Sequence, residues 1–158
     1  MHLKYVTAIM AFAAIAPPCA IQAEVMKGPF VFTAETMRQQ TETDAADANG
    51  DFWTPTLDDA SRAIESTRTY LIEHAREFGY KPPRSHDRTY THQIFGVTND
   101  GARNIVVLGV CRKAARELSP TIANELVSVV DGGACFFRSE VSLETMKVVD
   151  FRFNPIGG

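Results

Sequence analysis

The chain lacks most of the patterns that announce a chemistry. It contains no Gly-x-Ser-x-Gly elbow, no His-Glu-x-x-His pair, no P-loop and no dinucleotide fingerprint, so none of the reactions those motifs carry is indicated. It also lacks a charge excess. Sixteen Lys and Arg stand against nineteen Asp and Glu, a net charge of −3, and the charges are scattered. That leaves no electrostatic argument for nucleic acid or for an anionic membrane surface. Beyond the first two dozen residues there is no apolar run of the ~20 residues a transmembrane helix needs. Cysteine is scarce, at three.

What is present begins with "MHLKYVTAIMAFAAIAPPCAIQAEV". Lys4 is followed by an apolar run from Tyr5 to Ala16 and then by small residues and prolines. That order predicts a secretory signal peptide over residues 1–23, cut after Ala23 with Ala20 as an alternative, and a periplasmic or secreted product. Cys19 raises a lipoprotein alternative, against which stand Pro17 and Pro18. With Cys19 removed, Cys111 and Cys135 remain as a pair. In an exported protein an even pair reads as a disulfide. The rival is a single nucleophilic thiol, which needs a nearby base that the flanking residues do not supply.

Residues 24–55 are expected to form an N-terminal strand around "GPFVF", then a short helix fading into a mobile polar linker. "DAADANGDFW" hints at a calcium loop, but with Gly50 as the loop glycine the first ligand position falls on Ala45 and the closing one on Thr56. Asp44, Asp47, Asn49 and Asp51 are left as weak cation ligands at most, and the turn reading is preferred. No metal and no cofactor is assigned.

Residues 56–158 are expected to form an α+β domain. Thr56 and Asp59 form a capping-box variant opening a helix. Leu57, Ala60, Ile64, Thr67, Leu71, Ala75 and Phe78 make one apolar stripe, and Gly79 ends it before Pro82-Pro83. Asp58 with Arg62, and Glu65 with Arg68, are spaced for surface pairs. After that the pattern is β: a strand over 89–97, a turn at "TNDG" suited to positive φ, and a strand over 102–111 that is apolar on both faces. Arg112–Glu125 is a connecting excursion, followed by strand-like runs at "LVSVV", "ACFFRSEVS" and "MKVVDFRFN". Folded about Glu144, the last hairpin puts Phe137 opposite Phe151 and Arg138 opposite Asp150 as a cross-strand ion pair. Asp131, Gly132 and Gly133 read as a tight turn or bulge.

This order, a helix and then a curved antiparallel sheet of four to five strands, resembles the cystatin-like or NTF2-like roll. The C-terminal stretch, with Asp131, Gly132, Gly133, Cys135, Phe136, Phe137, Phe153 and Asn154, also resembles a signature of small exported bacterial proteins of unassigned function. The resemblance implies architecture and no activity. In "QIFGV" Val97 stands where the cystatin protease-blocking motif needs glycine, so wedge inhibition is not implied.

A roll can enclose a pocket, and His92 and Tyr90 are then the acid–base candidates, with Asp150 and Glu140 behind them. His86, Asp87 and His92 lie close in sequence but match no zinc spacing, and His74 reads as a surface residue. The favoured reading is a non-enzymatic module that binds another periplasmic or extracellular protein, as an inhibitor or immunity protein does. It would dock through a sheet edge, a hairpin tip or the Arg112–Glu125 excursion. A small NTF2-like enzyme or small-molecule binder is the alternative, and an accessory subunit of an envelope assembly a third.

Overall fold

A computed structural model describes residues 29–41, 51–79, 90–119 and 121–155. The predicted signal peptide, the possible cation ligands Asp44, Asp47 and Asn49, and the His86–Asp87 pair lie outside the described residues.

The fold is α+β, built on one mixed, open sheet. Its strands are β1 (Phe30–Val31), β2 (Asp51–Trp53), β3 (Tyr90–Asn99), β4 (Ala102–Cys111), β5 (Phe136–Ser142) and β6 (Val148–Phe153). The order is β1-β3-β4-β5-β6, with β2 also on β3. Only β1 pairs in parallel; the rest is antiparallel. Six strands therefore replace the expected four to five. Residues 56–158 supply four of them, and β1 and β2 join from the N-terminal segment, β2 out of the supposed linker, where Phe52 is buried and Trp53 lies across Gly96 so closely that a β-carbon there would collide with the indole.

Three helices pack on this sheet: α1 (Ala34–Thr41), α2 (Leu57–Glu73) and α3 (Arg112–Glu117). The capping box at α2 forms as the sequence implies, with the Thr56 hydroxyl accepting from the Asp59 amide. The helix is shorter than its apolar stripe, ending at Glu73 with His74 as its cap. The His74 ring stacks on Tyr70 at 4.0 Å, and both its backbone N–H and its Nδ1 sit on the Tyr70 carbonyl. The chain then loosens into turns until Gly79, at φ +62°. Leu57, predicted inward, is 69% exposed, and Ala63 takes the buried place. Glu65 and Arg68 pair at 3.2 Å; Asp58 and Arg62 do not.

Side-chain alternation makes the sheet two-faced. On one face Tyr90, Ile94, Ile105, Val107, Phe137 and Val141 pack under Ala60, Ala63 and Leu71 of α2. On the other, Phe95, Val97 and Val106 pack with Phe32, Phe52 and Met37 of α1. Val110 joins Ala115 and Ile122 of the excursion. The central strands are thus covered on both sides, as their unbroken apolar runs require.

The β3–β4 hairpin turns through Asp100 (φ +50°) and Gly101 (φ +80°), the two-residue turn that "TNDG" predicts. The last hairpin differs from expectation by two residues. Phe137 pairs with Phe153, Ser139 with Phe151 and Arg138 with Arg152. A bulge at Glu140/Val141 and a turn through Met146 at φ +52° absorb the offset. A two-residue slip keeps every side chain on its face, so the aromatic side survives and the Arg138–Asp150 pair does not. Arg138 instead pairs along its own strand with Glu140, at 2.7 Å.

Candidate functional site

His92 and Tyr90, the acid–base candidates, do meet. Both project from β3 toward α2 and line one cavity of about 30 Å³ with Thr67, Arg68, Leu71 and Phe137. Such a space holds one or two waters, not a substrate. Tyr90 is committed to a structural contact: its hydroxyl donates to the Ala134 carbonyl at 2.6 Å, and its ring stands edge-on to Phe137 at 5.0 Å. His92 is half-buried and lies 6.2 Å from the same ring. Asp150 and Glu140 alternate onto the opposite face of the sheet, so the structure does not bring the two carboxylates to the histidine. Among the described residues no group of His, Cys, Asp and Glu is arranged to hold a metal ion, and no helix is long and apolar enough to cross a membrane.

The other concentration of unusual chemistry is the segment between β4 and β5, residues 112–135. Sequence reading made Leu126–Val130 a strand. It is not one: the lanes beside β4 and β5 are already filled, β4 lying between β3 and β5, and β5 between β4 and β6. Its backbone groups go to side chains instead. Gln93, fully buried in β3, donates from Nε2 to the carbonyls of Ile122 and Glu125, both at 2.7 Å, and accepts the Val127 N–H at 2.8 Å. Gln40 of α1 repeats the pattern, donating to the Asn124 carbonyl at 2.8 Å and accepting the Leu126 N–H at 2.7 Å. Two glutamine side chains thus do for this loop what a neighbouring strand would do, and leave it rigid yet irregular. The sequence carried a signal for this only in hindsight: a glutamine amid the buried residues of an apolar strand needs polar partners on every side.

The end of the segment holds the Asp-Gly-Gly stretch. Gly132 and Gly133 have φ +106° and +54°, leading into a 3-10 turn at Gly133–Cys135. Four ties converge on it. Cys135 is joined to Cys111 by a disulfide, with their Cα atoms 4.8 Å apart. Tyr90 holds Ala134, and the Gly133 N–H reaches the Pro155 carbonyl at 3.0 Å. Asn154 donates to the carbonyls of Val129 and Asp131 at 2.5 and 3.3 Å. The residues of the C-terminal signature therefore meet in one knot, and the knot is structural. The disulfide is compatible with an oxidising, exported environment.

What this pinned segment shows to solvent is distinctive. Arg112, Lys113 and Arg116 are exposed on α3, three basic residues beside one exposed acid, Glu117, and Val130 is 89% exposed. Comparison with protein families, with curated proteins and with solved structures returns no match.

Proposed function

We propose that the chain is an exported, non-enzymatic protein-binding module, of the inhibitor or immunity-protein kind, that presents residues 112–131 to its partner. The observation that carries this reading is the glutamine-pinned excursion. An irregular segment held rigid by side chains of a sheet and a helix keeps a fixed shape in solution, so it loses little entropy when it docks. Its exposed Arg112, Lys113 and Arg116 suit an acidic surface, and Val130 offers an apolar anchor at the other end. The small size of the space beside His92 favours this over the small-molecule alternative.

Within the fold, we read α2 with β3–β6 as a cystatin-like or NTF2-like roll. Its support is one helix laid across one face of a four-stranded antiparallel meander. The likeness to small exported bacterial proteins is supported by the way the signature residues converge on Gly133 and Asn154.

The test is affinity capture from a periplasmic extract, followed by mass spectrometry, with wild type and an Arg112→Glu/Lys113→Glu/Arg116→Glu variant side by side. A stoichiometric partner retained by wild type and lost by the variant is the expected result. No partner, together with turnover of a tested metabolite, overturns the reading.

A further inference from the structure

Strand β6 closes one side of the sheet, and among the described residues no strand lies beyond it. Its hydrogen-bonding phase follows from one contact. The Asn154 N–H bonds the Phe136 carbonyl, so the 136/154 and 138/152 pairs are the hydrogen-bonded ones. Phe151, paired with Ser139 between them, turns its own N–H and C=O away from β5, toward the open edge.

The side chains around Phe151 are equally telling. Asp150 and Arg152 are both exposed and share the face away from α2. Within the sheet each stands opposite a like charge, Glu140 and Arg138 respectively, and those two satisfy one another. Neither Asp150 nor Arg152 has an ion pair or side-chain hydrogen bond among the described residues. Like charges directly opposite are unfavourable, so this arrangement calls for opposite charge from outside.

We propose that β6 pairs antiparallel with β6 of a second copy of this chain, on a two-fold axis through Phe151, joining two sheets into one. In that register Phe151 faces its own counterpart as a hydrogen-bonded pair, the phase its outward backbone groups demand. Asp150 then lies opposite the second copy's Arg152, and Arg152 opposite its Asp150. The sequence Asp-Phe-Arg is self-complementary about its centre, as an isologous contact requires. Among the described residues none roofs the start of this edge: a groove of about 570 Å³ opens between α2 and the start of β6, lined by Tyr70, Glu73, Met146, Lys147 and Val148. Charges and bulges on edge strands also serve to prevent pairing. A purely protective edge, however, has no need for two charges of opposite sign placed symmetrically about an outward-facing residue.

The pairing is independent of the proposed docking by residues 112–131, and sedimentation equilibrium of the purified protein with its disulfide intact tests it. Wild type is expected to be a dimer. Asp150→Arg and Arg152→Asp, each alone, should raise the dissociation constant by about tenfold or more. The variant with both changes should dimerise again, and an equimolar mixture of the two single variants should form a heterodimer. Circular dichroism checks that each variant is folded. A wild type that stays monomeric overturns the proposal, as does a dimer indifferent to the single reversals or not restored by the double one.

Discussion

The side-chain oxygen of Gln93 accepts the backbone N–H of Val127 at 2.8 Å, across 34 residues of sequence and at the floor of a fully buried site. Every polar atom needed to replace a strand pairing at that point comes from this one side chain, since its nitrogen also holds the carbonyls of Ile122 and Glu125. The irregular excursion and the regular sheet are thereby one cooperative unit.

Replacing Gln93 by Leu keeps the volume but leaves two carbonyls and one N–H without their partner. The expected loss is about 2–4 kcal/mol in urea unfolding, with faster amide exchange at residues 122–127. Gln93→Glu adds a sign. Burial and two facing carbonyls disfavour the carboxylate and raise its folded pKa above the unfolded value. Stability is then retained at low pH and lost as pH rises through the folded pKa. The Glu variant should melt at a higher temperature near pH 5 than near pH 8, after correction for wild type.

Reduction, or Cys111→Ser with Cys135→Ser, opens a loop between cysteines 24 residues apart. The chain-entropy model puts the cost at about 3 kcal/mol. The segment keeps its ties at Ala134, Gly133 and Asn154, so the fold should persist with a lowered midpoint and, because the denatured chain is freed to expand, a steeper denaturant slope. Alkylation and mass mapping of the unreduced protein should find neither Cys111 nor Cys135 labelled. Label on both sulfurs removes the clamp and, with it, the chemical support for an exported protein.

The parts of this fold that sequence disclosed are those fixed by local rules. The Thr56–Asp59 capping box and the Asp100-Gly101 turn are decided by a few neighbouring residues. The face assignment of Phe137 survived even a register error, because a slip of two restores the side. The rest depends on distant partners. Whether Leu126–Val130 becomes a strand turns on which sheet lanes are taken, and no window around those residues contains that information. Gln93 reads as an odd residue in an apolar strand until the carbonyls of Ile122 and Glu125 are placed over it. The bulge at Glu140/Val141 and the turn through Met146 at φ +52° together set the pairing that takes Arg138 away from Asp150, and neither is marked by the alternation of the strand residues. At the candidate site, sequence put His92 and Tyr90 on one strand face, but the ring that borders the space beside them, Phe137, comes from β5 and the rest of the lining from α2.

Thr67 of α2 and Ser139 of β5 are joined by a hydrogen bond in the core, with the Thr67 hydroxyl donating to Ser139 at 3.0 Å. Both are at most 2% exposed. Ser139 is flanked in register by Val107 and Phe151, so apolar neighbours on the two adjacent strands leave Thr67 as its hydroxyl partner. Thr67→Val and Ser139→Ala each strand the other hydroxyl in an apolar site and should cost about 1–2 kcal/mol. With both replaced, nothing polar is left unmatched, and the double variant should lose less than the sum of the singles by about 1 kcal/mol. Urea unfolding of the four proteins in the cycle measures this. Strict additivity would show that the contact contributes nothing to holding α2 at its height over β5. Coupling would show that a helix displaced by one turn is penalised at both hydroxyls, which is how a single polar pair sets the register between an apolar helix face and an apolar sheet.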